Sequence, residues 1–218
     1  MKNKLCTLAL LLSGITSSLY VHAYETADWI FRTGVTAVNP DDSSDNVLVG
    51  GSDLGIGVNV DSNAQLGINI GYFISPKIAL EILLATPFEH DIGLNTVGAL
   101  GSTKHLPPTI SVNYYLANAT AKFQPYIGAG INYTIFFDEE FTAENKQAGF
   151  SDLSLDDSIG LSLQAGLDYM LDDEWHVNAS VRWIDIGTDA EFTLNDEQGS
   201  VAVDIDPFVY TLSLGYRF

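Results

Sequence analysis

The sequence predicts an all-β fold: an eight-stranded antiparallel up-and-down transmembrane β-barrel, with short periplasmic turns and long extracellular loops. Three observations predict it. Over residues 208–218 the even positions read Phe208, Tyr210, Leu212, Leu214, Tyr216 and Phe218, against Val209, Thr211, Ser213, Gly215 and Arg217 between them. One face is therefore apolar with aromatics at both ends, which is how a transmembrane strand presents itself to lipid. Seven further stretches alternate in the same way, and the links between them are long, short, long, short, long, short, long. Finally, the chain opens on an export signal, yet no later apolar run is long enough for a membrane helix.

The leader comes first in the chain. Lys2 and Lys4 precede an apolar run from Leu5 to Ile15, and Val21-His22-Ala23 offers small residues at the cleavage positions, so residues 1–23 read as a signal peptide and 24–218 as one barrel domain. Cys6, the single cysteine, leaves with the leader, which excludes disulfide and thiol chemistry from the mature chain. The formal charge of −19 becomes −21 when the two lysines go. Such acidity excludes a nucleic-acid partner, whose phosphates need a basic surface.

The strands follow in order. The first spans residues 28–38, with Trp29, Phe31 and Val35 outward and Arg32, Gly34 and Thr36 inward. An acidic, Gly- and Ser-rich loop leads to the second, residues 64–75, where Leu66, Ile68, Ile70 and Tyr72 oppose Gly67, Asn69, Gly71 and Phe73. Ser75-Pro76-Lys77 turns directly into the third, with Ile78, Leu80, Ile82 and Leu84 outward and Glu81 and Leu83 inward. Residues 89–108 read as a second loop. The fourth strand carries Ile110, Val112 and Tyr114 against Ser111, Asn113 and Tyr115. The fifth puts Ile127, Ile131 and Tyr133 opposite Tyr126, Gly128 and Asn132, and residues 138–157 read as a third loop. The sixth sets Leu161, Leu163 and Leu167 against Gln164 and Asp168; the seventh sets Trp175, Val177 and Trp183 against His176, Asn178 and Arg182. Residues 187–200 read as a fourth loop before the terminal strand, which closes the barrel on the first. In a soluble barrel the interior would be the more apolar face. Here the apolar face lies opposite the Gly, Asn, Ser and Arg positions, so it faces lipid and the protein belongs in a Gram-negative outer membrane.

Several segments in sequence order, KHLPPTISVNYYL from Lys104, PYIGAGINYT from Pro125, VRWIDIGTDA from Val181 and IDPFVYTLSLGYRF at the end, resemble the OmpW family of small outer-membrane proteins. The resemblance implies a narrow, unusually hydrophobic lumen and passage of small hydrophobic molecules across the outer membrane, with lateral exit into the bilayer. It implies no catalytic set and no cofactor.

An eight-stranded barrel is just filled by its own side chains or holds one small ligand, which excludes a wide aqueous pore. Inward charges must then pair. Arg32, Glu81, Asp168 and Arg182 are expected to form an ion-pair layer towards the periplasmic end. Phe73, Leu83, Tyr115 and Tyr126, with Asn69 and Gln164, are the candidate lumen lining, and Phe73, Leu83 and Tyr115 are expected higher up, as an apolar funnel. Leu106-Pro107-Pro108 removes two ladder donors and marks a candidate lateral opening. Tyr216 and Phe218 form an aromatic-x-Phe end that resembles the signal by which the barrel assembly machinery recognises such strands. Outer-membrane lipid, lipopolysaccharide and a small hydrophobic ligand complete the expected partners. The acidic loops lack EF-hand spacing, so no metal site is expected.

Two other readings compete with transport. A sealed structural or adhesive barrel would bind partners through its loops. A lipid A-modifying enzyme would need a nucleophile, a base and an orienting acid in reach. His176 lies near the periplasmic turn, and His90 and His105 fall in the second loop, where no geometry is imposed.

Overall fold

A computed structural model describes residues 23–95 and 98–218. The leader therefore lies outside the described residues except for Ala23. Eight long strands form the barrel: β1 (Trp29–Asn39), β2 (Asn63–Ser75), β3 (Ile78–Ala85), β4 (Thr109–Tyr115), β5 (Phe123–Phe141), β6 (Ser158–Met170), β7 (Trp175–Ile184) and β8 (Phe208–Arg217). Each is antiparallel to its sequence neighbours. β8 also pairs with β1, from Ile30 opposite Arg217 to Asn39 opposite Phe208, so the sheet has no free edge. Closure matters because no water in the bilayer core can satisfy an exposed strand edge.

The period of two sets which side chains meet lipid. Val35, Ile159 and Leu212 are 62%, 75% and 63% exposed, while their inward neighbours Thr36, Ser158 and Thr211 are buried. That belt has no aqueous counterpart. Trp29 packs on Tyr72, Phe123 on Tyr169 and Trp175 on Tyr216, each with ring centroids 4.9 Å apart, forming an aromatic girdle at the rim with the short turns. Inward glycines give the large inward rings their room. A Cβ on Gly215 would lie 2.1 Å from the His176 ring, and one on Gly166 would lie 2.3 Å from the Tyr126 ring.

The long links differ from the expected loops. The second is a hairpin of Phe88–Leu94 with Gly98–Leu106. The fourth is a hairpin of Gly187–Leu194 with Glu197–Asp204, turned by Asn195 and Asp196 at φ 51° and 69°. In the third, β5 runs on to Phe141, followed by a single helical turn, Ala143–Gln147, and Phe150–Leu155. The first contributes short strands that join the fourth hairpin's sheet. The barrel wall thus continues above the membrane. Phe192, Val201 and Val203 point inward, while Glu191, Ser200 and Ala202 point to water. The solvent change reverses the polarity of the outer face and leaves the strand period intact.

Two clusters of buried apolar residues result. One fills this extracellular extension around Phe88, Phe136 and Phe192; the other, around Tyr24, Phe73, Tyr115 and Tyr126, closes the periplasmic end.

Candidate functional site: a chamber above a plugged lumen

The lumen is built in layers. Arg32 stands at the centre of the lowest polar layer because β1 places it inward, 1% exposed. Its Nη1 donates to Glu81 Oε2 at 2.7 Å, its Nη2 to Asp168 Oδ2 at 2.6 Å and to Tyr115 Oη at 2.8 Å, and its Nε to His176 Nε2 at 3.0 Å. Arg182 Nη2 completes the knot by donating to Glu81 Oε1 at 2.9 Å and to Gln164 Oε1 at 2.5 Å. Gln164 Nε2 donates to Glu81 and to Asn113, and Asn178 donates to the free oxygen of Asp168 at 2.7 Å. Two guanidinium groups thus balance two carboxylates, each held by several strong hydrogen bonds, which is the condition for burying charge without a large penalty. Asn69, opposite Arg32 in the β1–β2 register, is buried beside them.

The expected funnel requires a correction. Phe73 and Tyr115 do not lie above the ion pairs; with the lining residue Tyr126 they belong to the cluster that closes the periplasmic end. Phe73 stands two residues before the end of β2 at the short turn, so its height follows from its distance to Ser75. Leu83 alone lies on the extracellular side, two residues above Glu81 and paired with Thr109. The cluster is completed by Tyr24, whose position the sequence did not signal. Its ring stacks on Phe73 at 4.2 Å and its hydroxyl donates to Asp168 at 2.6 Å, so the segment before β1 folds back into the barrel mouth. Arg217 fixes that segment, donating to Asp28 at 3.2 Å.

Above the knot lies a belt of hydroxyls and amides. Thr134 donates to Asn132, and Asn132 donates to Thr109 and to the Pro108 carbonyl. Above that opens a chamber of about 80 Å³, walled by Val38, Val58, Ile92, Phe136, Phe192 and Val203 among others. At roughly 10–15 Å³ per water-sized group, it holds about five to eight such groups. Among the described residues, no Asp, Glu, Lys or Arg lines it.

His90 and His105 stand in the chamber wall, contrary to the expectation that this stretch carries no fixed geometry. They occupy facing strands of the second hairpin, with rings stacked at 4.9 Å, and Phe88 and Phe136 pack on His105 at 5.4 and 5.8 Å. Burial, and then the neighbouring His90, push His105 down to about 3. Burial likewise lowers His90, although the Asp61 carbonyl opposes it. Both rings are therefore neutral at pH 7. Because His105 binds its proton more readily when unfolded, its share of the hairpin's stability is complete above about pH 6.5 and is lost as pH falls towards 3. At pH 5 the loss is about 2 kcal/mol, from roughly 1.4 kcal/mol per unit. Amide protection across Phe88–Leu106, corrected for the intrinsic pH dependence of exchange, is expected to fall between pH 7 and 5 in the wild type, and much less in His105→Phe.

Leu106-Pro107-Pro108 joins the hairpin to β4. On one side the wall is continuous, since Leu106 pairs with Ile135 and Thr109 with Asn132. On the other side the register runs from Leu83 opposite Thr109 to Phe88 opposite His105, and no ladder pair lies between. Three residues at the break, Pro87, Pro107 and Pro108, have no N–H to donate. The break adjoins the chamber, because His105 is the last paired residue above it. At the far end of the chain, Tyr216 donates to Glu174 at 3.0 Å, and Phe218 is 66% exposed on the lipid side.

A closed eight-stranded barrel with a lipid belt and a plugged periplasmic end defines the class: a small integral barrel of the bacterial outer membrane. The family model described as "OmpW family" matches residues 25–218, and the chain belongs to that family. It is 46% identical over 223 residues to outer membrane protein W of Vibrio cholerae, covering 100% of both chains. Its fold matches the crystal structure of the outer membrane protein OprG from Pseudomonas aeruginosa at a TM-score of 0.87 and 38% identity, covering 91% of this chain and 99% of that one. A more distant relative from Pseudomonas aeruginosa, 27% identical over 197 residues with 89% and 90% coverage, is named a dibenzothiophene metabolism operon protein.

Proposed function

We propose that the protein passes small hydrophobic molecules across the outer membrane by taking them into the extracellular chamber and releasing them sideways into the bilayer. The observation that carries this reading is the sequence of layers: an apolar chamber stands above a belt of hydroxyls and amides and, below that, a charge-balanced knot in which both carboxylates are hydrogen-bonded through both oxygens. A hydrocarbon gains about 0.8 kcal/mol per buried methylene in the chamber, and finds no apolar route through the knot. The break at Pro87, Pro107 and Pro108 is the weakest part of the adjoining wall and leads towards lipid. The name of the distant relative, tied to metabolism of an apolar aromatic heterocycle, agrees with such a cargo.

On this reading Arg32, Glu81, Asp168 and Arg182 are the plug, with Asn69 and Gln164 in the same polar layer. Phe73, Tyr115 and Tyr126 cap it from below. Conductance of Glu81→Ala in planar bilayers tests the plug. Loss of the carboxylate shared by Arg32 and Arg182 should raise ion conductance clearly above wild type, and an unchanged trace would count against it.

Transport also fits the side chains better than acyl chemistry. His176 Nε2 is occupied by Arg32 beneath the chamber. His90, with the Asp61 carboxylate 3.7 Å from its Nδ1, shares the chamber with His105, but with no Ser or Cys among the described lining residues to serve as nucleophile. We further assign residues 1–23 as the cleaved leader, lipid and lipopolysaccharide as the surroundings of the belt, and Tyr216 with Phe218 as the end read by the assembly machinery.

A second reading, a sealed structural barrel, is favoured by the Tyr24 cap. Uptake into proteoliposomes separates the two, since a sealed barrel gives none.

A further inference from the structure

His90 holds its ring by one edge only. Nδ1 lies 2.6 Å from the carbonyl oxygen of Asp61. A carbonyl only accepts, so Nδ1 carries the proton of the neutral ring and Nε2 is a bare acceptor. That Nε2 is buried and has no partner among the described residues, in a side chain that is 3% exposed. A buried acceptor left unpaired costs free energy, and a native structure that keeps one calls for a partner. The stacked neighbour His105, also neutral, supplies one ring N–H, for which no protein acceptor is found among the described residues. The three threonines in the same wall already donate elsewhere: Thr134 to Asn132, Thr188 to the Asp156 carbonyl at 2.8 Å, and Thr103 to the Lys104 carbonyl at 3.4 Å.

We propose that the His90–His105 pair is a polar subsite in the otherwise apolar chamber, which selects neutral hydrophobic molecules carrying a hydroxyl group. A hydroxyl both donates and accepts, so it can satisfy His90 Nε2 and take the His105 N–H together. A carboxylate or an ammonium would be buried with no opposite charge, because among the described residues no Asp, Glu, Lys or Arg lines the chamber. The cargo is thus an aliphatic or aromatic alcohol, with its apolar body against Phe136, Phe192 and Val203. This inference rests on the chamber being the cargo site.

The test uses the full barrel in lipid nanodiscs and three ligands of equal heavy-atom count that fit the chamber: heptane, pentyl methyl ether and hexyl alcohol. Chamber methyl resonances report occupancy, and the ¹⁵N resonance of His90 Nε2 reports a hydrogen bond received. Expected is a methyl response to all three ligands and a Nε2 shift with the alcohol alone. The alcohol should bind roughly 2- to 12-fold tighter than heptane, the span of one net hydrogen bond. In His90→Leu that ratio should fall to about one. Equal binding of all three by the wild type, with a silent Nε2, would overturn the inference and leave the chamber reading intact. Absence of any methyl response would overturn both. The wild-type spectra decide the matter even if His90→Leu fails to fold.

Discussion

Arg32→Ala is expected to be the most damaging single substitution in the barrel, lowering stability by about 3–5 kcal/mol. The guanidinium is the one group that touches both buried carboxylates, Glu81 at 2.7 Å and Asp168 at 2.6 Å, and it also bonds Tyr115 and His176. Its removal leaves Asp168 without a cationic partner inside the barrel and Glu81 with Arg182 alone. The cost arises mainly from those stranded charges, not from the loss of attraction as such. The double substitution Arg32→Met with Asp168→Asn should therefore recover a large part of the loss, because it removes the orphaned charge and keeps the volume. Urea unfolding in detergent micelles measures both. A single substitution costing under about 1 kcal/mol, or a double no better than the single, would show that the knot does not hold the periplasmic end.

The second large effect concerns transport. Replacing Pro107 and Pro108 together by Ala restores two backbone donors. That of residue 107 faces the break beside β3, and that of residue 108 faces β5, whose Tyr133 N–H already bonds the Pro108 carbonyl. Each is worth about 0.5–1.5 kcal/mol when bonded. Bridging the wall between Leu83–Thr109 and Phe88–His105 should close the lateral path while leaving the chamber walls unchanged. Entry of a hydrophobic ligand into the bilayer should fall about tenfold or more, as expected if tightening the wall adds about 1.4 kcal/mol or more to the barrier. Ligand binding in the chamber should persist. A variant that binds and delivers as the wild type does would place the exit elsewhere.

The barrel itself was legible because lipid enforces a simple rule on alternate residues, and because link lengths separate the two rims. Arg32, Glu81, Asp168 and Arg182 could be placed inward by parity alone, and the low dielectric then required them to meet. Heights were harder to read. Phe73 and Tyr115 have the right parity for a funnel, but they stand next to the short turns, so they cap the plug. The chamber was missed for a different reason. Its strands leave the membrane, and their outer faces become acidic, as at Asp189 and Glu191, which reads as a solvated loop. The signal present was the inner alternation of Thr188, Ala190 and Phe192, together with the Asn195-Asp196 turn, a residue pair suited to positive φ. Tyr24 gave no signal, since nothing in the short stretch before β1 marks it as part of the barrel interior.

In the proposed function a chamber loads hydrophobic molecules and empties sideways. The most direct measurement is the rate at which hexyl alcohol enters the bilayer of vesicles whose outer leaflet is lipopolysaccharide, with and without the wild-type barrel. A protein-dependent acceleration of about tenfold or more, without a matching rise in ion conductance, is the predicted result. A rate equal to that of protein-free vesicles would contradict the account and leave a sealed barrel.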